Sequence, residues 1–385
     1  MKYVNANEIL PKELLSTVRQ YYQGGYLYIP RENDRRLRRQ TDYKLELENR
    51  NKHIFAKHLA GRTHAQLGKI YHLSQSSIRR IILREKVRNR IMEEIIEQMI
   101  PLWGIEKGQL RQIYSSTWEI NHSYVVKIYD DIDQLKRNVK ISNILSTCNI
   151  PVADIVLTKT GEEYAAHGDV YFLMSRKLQG SIVSNIKDKI MVHEMGRAIA
   201  RLHEAFIQCE TELEFWDNSL LEEMRGWVRE TLSENGWQII GEKEYEKTVE
   251  ALEDVYDALP KQLIHRDVHF GNFLFFEGDL SGYIDFDLSQ RNIRIFDICY
   301  FLTGLLVEET EDALTENEWL ENVKAAIAGY ESISTLLPEE KNAVPCVMEC
   351  IEILCAAYFI SVKDMKRADD ACRVFHLIQD YVNLY

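Results

Sequence analysis

The chain contains no CxxC pair, and its seven cysteines stand apart as Cys148, Cys209, Cys299, Cys346, Cys350, Cys355 and Cys372. Such scatter suggests neither a zinc site nor a disulfide framework, so reduced thiols in a cytoplasmic protein are the simplest reading. No apolar run of the roughly 18 residues that a membrane span requires stands out, and no membrane association is expected. The opening MKYVNANEILPKELL is too polar for a secretory signal. Solenoid repeats and low-complexity tracts are lacking too. What is present is 385 residues, 45% of them hydrophobic, enough for two domains and a sizeable core.

Acidic charge is scarce at the start and abundant afterwards. Residues 1–90 hold 20 Lys+Arg against 8 Asp+Glu, a balance of +12. The remaining 27 basic and 52 acidic residues give −25, and the sum is the net −13 of the whole chain. The first segment would attract nucleic acid and the second would repel it, although two solvated surfaces would read the same way.

Residues 1–92 read as mostly helical. Pro11 opens a helix over KELLSTVRQYY, which Gly24 and Gly25 stop. GGYLYIP, closed by Pro30, reads as an edge strand, and the charged RENDRRLRRQTDYK as a loop. Apolar positions then recur at Ile54, Leu59, Leu67, Ile70, Leu73, Ile78, Ile81 and Ile82. THAQLGKIYHLSQSSIRRIIL predicts helix, tight turn, helix, with Ser74 as N-cap of the second. That second helix carries Gln75, Ser76, Ser77, Arg79 and Arg80, which suit base edges and phosphates in a major groove. The following residues continue as helix towards Pro101, and 93–107 is expected to be a helical linker.

From Gln109 the apolar period becomes two. LRQIYSSTWEI and SYVVKIYD predict antiparallel strands turning at Asn121–His122, and a helix follows over DIDQLKRNVKISNILST. Further strands are expected in VADIVLTKTGEEYAAHGDVYFLMSRKL, with turns at Gly161 and Gly168. Beyond Gly180 the pattern is helical, interrupted only by 263–288. The fold class expected is α+β: a small antiparallel-sheet lobe over 108–178, a larger helical lobe over 179–385, and a ligand cleft between them.

The richest stretch is LIHRDVHFGNFLFFEGDLSGYIDFDLSQRNIRIFDI. Asp267 and Asn272 lie on a loop leading into the strand FLFF; a turn at EGDLSG follows, and YIDFD is expected to return as the second strand. Such a hairpin brings Asn272 near Asp285, an amide and a carboxylate suited to Mg²⁺. Asp267 would accept a proton from a substrate hydroxyl, which completes the parts needed for phosphoryl transfer.

HRDVHFGN resembles the HxDxxxxN catalytic loop of the aminoglycoside phosphotransferases and their choline, homoserine and fructosamine kinase relatives. IDFD resembles their second metal motif. The resemblance covers residues 108–385 and implies a protein kinase-like bilobal fold that uses ATP and Mg²⁺ on a small hydroxyl acceptor. It implies Asp267 as catalytic base, Asn272 and Asp285 as metal ligands, and His265 and Asp297 as structural supports of the loop. By the same resemblance Lys127, mid-strand in YVVKIYD, binds the α- and β-phosphates; read from its residues alone, an edge-strand lysine reaching solvent is the alternative.

The family pairs this lysine with a helix glutamate, whose place falls on Asn138. No Glu occurs in 120–150, so Asn138 would hydrogen-bond Lys127, with Asp133 as another candidate partner. Ser115, Ser116 and Thr117 form a glycine-free turn whose N–H and hydroxyl groups would cradle phosphate. YFLMSRKLQG resembles the hinge between lobes, where the backbone of Ser175, Arg176 and Lys177 would face adenine. EMGRAIARLHEAF resembles the family's LxRLH helix, with His203 as a buried structural residue.

The acceptor pocket is expected among helices of 210–260 and 305–380. There LLEEM, VEETED and PEEK accompany Trp216, Trp227, Trp237 and Trp319, a composition that would suit a cationic acceptor, with solvated helix faces and core tryptophans as the alternative. Residues 1–92 resemble the Mor transcription activator family, whose members bind DNA as dimers, so DNA and a second copy of the chain are expected partners. A three-helix interaction module is the alternative for that segment. A regulator whose kinase-fold domain only senses a ligand, without turnover, is the alternative for the whole chain.

Overall fold

The computed structural model describes residues 50–382, apart from 52, 53, 56, 59, 60, 72, 115, 184, 186, 216 and 308–312. The expected first helix, the edge strand at 24–30, the charged loop, Leu59, Ser115, Trp216 and most of VEETED lie outside the described residues. The chain divides into two compact units, Met1–Lys86 and Val87–Tyr385.

In the first unit, helix α1 (His64–Ile70) starts at a capping box: the Thr63 side chain accepts from Gln66 N–H, and Gln66 answers to Thr63 N–H. Helix α2 (Gln75–Met99), of which residues 75–86 belong to this unit, begins as expected at Ser74, whose Oγ accepts from Ser77 N–H at 3.1 Å. Ile54, Phe55, Leu67, Ile78 and Ile82 form a small core of their own.

In the second unit, strands β1 (Leu110–Tyr114), β2 (Thr117–Ile120), β3 (Tyr124–Tyr129), β4 (Tyr164–His167) and β5 (Val170–Arg176) form one sheet in the order β1-β2-β3-β5-β4. Every pairing is antiparallel. Helix α3 (Ile132–Thr147) follows β3, capped by Asp131. The expected linker is instead part of this lobe's core. Ile96, Met99, Ile100 and Trp103, spaced i, i+3, i+4, i+7, bury one helical stripe against Trp118, Ile120, Val126, Phe172 and Met174.

The larger lobe holds α4 (Lys189–Glu212), α5 (Leu220–Glu223), α6 (Arg229–Glu234), α7 (Glu242–Tyr256), α8 (Phe296–Gly304), α9 (Glu316–Glu331), α10 (Pro338–Ser361) and α11 (Met365–Val382). Two ribbons lie among them: β6 (Lys261–Ile264) with β9 (Gln290–Ile293), and β7 (Phe273–Phe276) with β8 (Asp279–Tyr283). One large core spans these elements, from Ile141 to Ile378. Helices α4 and α9 approach closely enough that a Cβ on Gly196 would lie 2.0 Å from Ala326 O, and one on Gly329 2.0 Å from His193 O. Where the chain passes from β5 into the larger lobe, Ser181 and Phe275 exchange backbone hydrogen bonds of 3.0 and 2.9 Å. Gly180 is required there: its φ is +108°, and a Cβ would meet Phe275 O at 2.7 Å.

Two expectations need correction. The second strand of the hairpin that begins at Phe273 is Asp279–Tyr283, and IDFD follows it as a loop rather than within it. Asp285 takes φ +66°, which no ladder residue adopts. Also, α10 is long and apolar enough by composition to cross a bilayer. Over half of that apolar stretch is buried inside the protein, and Glu349 and Glu352 interrupt it, so the helix fits the lobe's core.

Candidate active site

The β7–β8 ribbon carries Asn272 and Asp285 together, as expected. Ile284 N–H donates to Asn272 C=O at 3.1 Å, so the residue before β7 lies against the residue before Asp285. The Asn272 amide nitrogen donates to the Asp267 carbonyl at 2.9 Å and to its Oδ2 at 3.1 Å. That commits one arm of the amide and leaves its oxygen on the other. With the second carboxylate oxygen of Asp285 this makes a pair of hard oxygen donors, a set that fits Mg²⁺. Among the described residues no group of three or more His, Cys, Asp or Glu side chains is placed to hold a metal alone. A cation here would therefore take its other ligands from phosphate and water.

Asp267 also accepts from Tyr300 Oη at 3.3 Å, and His269 Nε2 stands 3.6 Å from its Oδ2. Burial pushes the Asp267 carboxyl up. The hydrogen bond and charge of His269, the charge of His265 and the Asn272 amide outweigh it, and the net displacement is downward. Asp267 is thus ionised at neutral pH. Tyr300 is pushed far up by burial and stays a neutral donor.

The loop is held from behind by Asp297, which is fully buried. Its Oδ2 accepts from His265 N–H at 2.8 Å and from His203 Nε2 at 3.0 Å, and its Oδ1 from Arg266 N–H at 2.7 Å. Arg266 sits at φ +68°, a strained position that this clamp over-determines. His265 Nε2 donates to Ile284 C=O at 3.1 Å, tying the loop that carries Asp267 to the start of IDFD. His203 is buried and its Nδ1 meets Tyr330 Oη at 2.9 Å, a structural position.

Lys127 lies between β2 and β5, opposite Thr117 on one side and Leu173 on the other. Ser116 is in the turn just above, its C=O accepting from Ile128 N–H at 2.8 Å. Neither Asn138 nor Asp133 is the partner of Lys127. The ammonium contacts Asp285 Oδ1 and Asp287 Oδ2, each at 2.8 Å. Asn138 instead donates to Asp287 Oδ1 and, at 3.1 Å, to Tyr129 Oη. Burial pulls the Lys127 ammonium down, but Tyr129, Asp287 and Asp285 together raise it. Tyr129 is itself pushed up to about 12 by burial and is neutral at physiological pH, which leaves the two carboxylates as the operative charges.

The hinge differs from expectation. Arg176 N–H donates to Asp154 C=O at 2.8 Å and Lys177 N–H to Ser123 C=O at 2.9 Å, so neither amide is available to adenine. Ser175 is paired within the sheet opposite Val125. The Lys177 ammonium joins Arg111 and His122 around the buried Glu119. Hydrogen bonding to Lys177 is the main influence holding that carboxyl at about 2, with burial opposing it. One glutamate of each of two acidic patches is likewise committed: Glu223 to Arg266, and buried Glu340 to Arg294. Trp319 is core, donating to Leu302 C=O at 3.0 Å, while Trp227 and Trp237 pack against the core. An apolar cavity between α9 and α10, lined by Trp319, Val323, Val344 and Met348, is not lined by Asp267, Asn272, Asp285 or Lys127.

In the first unit, Gln75, Ser76, Arg79 and Arg80 are exposed on the opening turns of α2, while Ser77 is half-buried.

The sequence model of the phosphotransferase enzyme family matches residues 104–335. The chain belongs to that family. A separate match, to the Mor transcription activator family, covers residues 3–99. The homoserine kinase of Polaromonas naphthalenivorans (strain CJ2) is 23% identical over 269 residues, 62% of this chain and 78% of the relative. The protein YraL of Bacillus subtilis (strain 168) is 33% identical over 84 residues, 21% of this chain and 97% of YraL. The solved amicoumacin kinase hAmiN, in complex with AMP-PNP, Ca²⁺ and Ami, superposes with a TM-score of 0.57 at 16% identity, covering 78% of this chain and 96% of that one. The fold is thus the kinase-like one of the aminoglycoside phosphotransferases, an antiparallel sheet followed by a large helical lobe, with a helical segment preceding it.

Within this phosphotransferase the sequence reading missed Asp287, Tyr300 and Glu119, and the pairing of Glu223 with Arg266. Asp287 had a signal in the second carboxylate of IDFD. Tyr300 had one in its spacing from Asp297, one turn along the helix. Glu119 gave none for its pairing with Lys177, 58 residues on, and LLEEM gave none for the pairing of Glu223 with Arg266, 43 residues on.

Glu352 on α10 is a further buried carboxyl near this site. Burial pushes it up to about 7, against the Thr303 hydrogen bond and the charge of Arg373. A carboxyl raised in the folded state binds its proton more tightly there than when unfolded. Stability is therefore expected to fall as pH rises from about 4.5 to about 7. Glu352→Gln should remove that decline, gaining about 2–3 kcal/mol at pH 8. Denaturant melts across pH check this; a variant that shows the same pH slope as the unaltered protein contradicts it.

Proposed function

We propose that residues 108–385 transfer the γ-phosphoryl group of ATP to a hydroxyl of a small molecule that carries an amine. In this reading 108–178 and 179–385 are the two lobes. The observation that carries it is the convergence of Asp267, Asn272, Asp285 and Lys127 on one loop cluster. Asp267 orients the acceptor hydroxyl and takes its proton at the carboxylate. Lys127, Ser115, Ser116 and Thr117 would hold the phosphates. Asn272 and Asp285 would hold Mg²⁺, which supplies positive charge to the phosphoryl oxygens. Homoserine and aminoglycosides, named in the relatives and neighbours, combine amine and hydroxyl and define the acceptor class to test first.

Residues 1–92 are proposed to bind DNA as a dimer through Gln75, Ser76, Ser77, Arg79 and Arg80, in a cytoplasmic protein. The exposed arginines on α2 and the match to the Mor family support this.

Purified full-length protein with Mg-ATP and a panel of homoserine, choline, amino alcohols and aminoglycosides tests the enzymatic reading. Acceptor-dependent ADP release supports it. Nucleotide binding without turnover on any acceptor would favour a ligand sensor instead. Gel-shift affinity for genomic DNA fragments should fall steeply with salt, by about tenfold or more between 50 and 200 mM; salt-insensitive retention would argue against phosphate contacts.

A further inference from the structure

We propose that Asp287 is the standing counter-charge that positions Lys127 for the nucleotide, and that Asn138 acts on Lys127 only through Asp287. This rests on the phosphotransfer reading above.

The geometry starts from the two oxygens of Asp287. Oδ2 lies 2.8 Å from the Lys127 ammonium, and Oδ1 accepts from the Asn138 amide. Asn138 is buried, and its amide nitrogen is also within 3.1 Å of Tyr129 Oη. Tyr129 follows Lys127 by two residues on β3, so both point to the same face, and the ammonium stands 5.3 Å from the tyrosine ring centre. The four groups thus form one cluster. In it an amide that carries no charge orients the carboxylate that does.

Asp285 also touches Lys127, but it cannot be the constant partner. Its carboxylate is half of the proposed cation site, so a bound cation would draw on the same charge. Asp287 contributes nothing to that donor pair and remains available to Lys127 throughout. Without it, a lysine with four-fifths of its side chain buried would be left short of a counter-charge whenever Asp285 is engaged.

The arrangement also explains how a helix without any glutamate can serve here. The negative charge has moved from α3 to the loop after β8, two residues beyond Asp285. The placement of Lys127 is therefore coupled to the IDFD loop, and α3 contributes a single neutral hydrogen bond. Asp287 and Asn138 are positioning residues, acting on the phosphates through Lys127.

The test is ADP affinity of the full chain by calorimetry, with and without Mg²⁺, alongside melting temperature. Asp287→Asn keeps the shape and removes the charge, and should weaken ADP binding about tenfold with Mg²⁺ and by less without it, when Asp285 still faces Lys127. Asn138→Glu added to Asp287→Asn returns a carboxylate to the same cluster from α3, and should restore affinity to within about threefold. A merely structural role for Asp287 would not be rescued by a charge placed on another element. Unchanged or tighter binding by Asp287→Asn overturns the proposal, as does a folded double variant that stays weak. If the double variant does not fold, Asn138→Leu decides: affinity weakened about threefold or more supports the relay, and unchanged affinity overturns it. An unaltered protein that binds no ADP at all would instead overturn the phosphotransfer reading on which this rests.

Discussion

Asp267→Asn is expected to lower acceptor-dependent ADP release by about 10²–10⁴-fold, the range a positioned general base supplies. The substitution preserves shape, and its amide can still meet Asn272 and Tyr300, which now contact the carboxylate. Nucleotide affinity should therefore change little, separating lost chemistry from lost binding. The pH profile adds a second readout. Because the surroundings of Asp267 hold its carboxyl below the ordinary aspartate value, activity should persist on the acid side until pH falls below that value. An Asp267→Asn variant retaining more than about a tenth of the activity would mean that another group takes the proton, or that none is needed.

Asp297→Ala should have the largest effect on stability. One buried carboxylate satisfies two successive backbone N–H groups, of His265 and Arg266, and the ring of His203. Removing it leaves those donors buried without an acceptor and opens a small void. Each unsatisfied group costs on the order of 1–3 kcal/mol, so a loss of about 3–5 kcal/mol is expected. Arg266 at φ +68° would lose its restraint, and the loop carrying Asp267 would loosen with it. Activity should vanish even at temperatures where the variant is folded. A variant that melts within about 1 kcal/mol of the original would show that the clamp is dispensable.

The sequence made the segment from His265 to Asp287 legible because its chemistry is local. HRDVHFGN, an apolar strand, a glycine-containing turn and IDFD follow one another within about 20 residues, and a tight ribbon can only fold them together. The alternation in YVVKIYD likewise placed Lys127 inside a sheet, where its register with β2 and β5 now locates it. What the sequence hid was pairing over distance. Lys127 meets Asp285 and Asp287 some 158 residues along the chain, and the expected partner, Asn138, proved to serve Asp287. Strand limits were blurred where IDFD reads as apolar–polar alternation, although the left-handed backbone at Asp285 takes it off the ladder. The segment 93–107 looked like a linker because Pro101 and Gly104 punctuate it. Its buried stripe of Ile96, Met99, Ile100 and Trp103 has helical spacing that was present in the sequence but outweighed by those breakers. The hinge misled for a related reason: sheet pairing to Ser123 and Asp154 extends through Lys177 and uses the amides that a base would have needed.

The account depends on Lys127, Asn272 and Asp285 meeting the phosphates of one metal-bound nucleotide. The most direct test is titration of ATP into the full-length protein with and without Mg²⁺, repeated with Asp285→Ala. Binding that Mg²⁺ tightens in the unaltered protein and fails to tighten in Asp285→Ala is the predicted result. ATP affinity that is absent, or that responds equally to Mg²⁺ in both proteins, would contradict it.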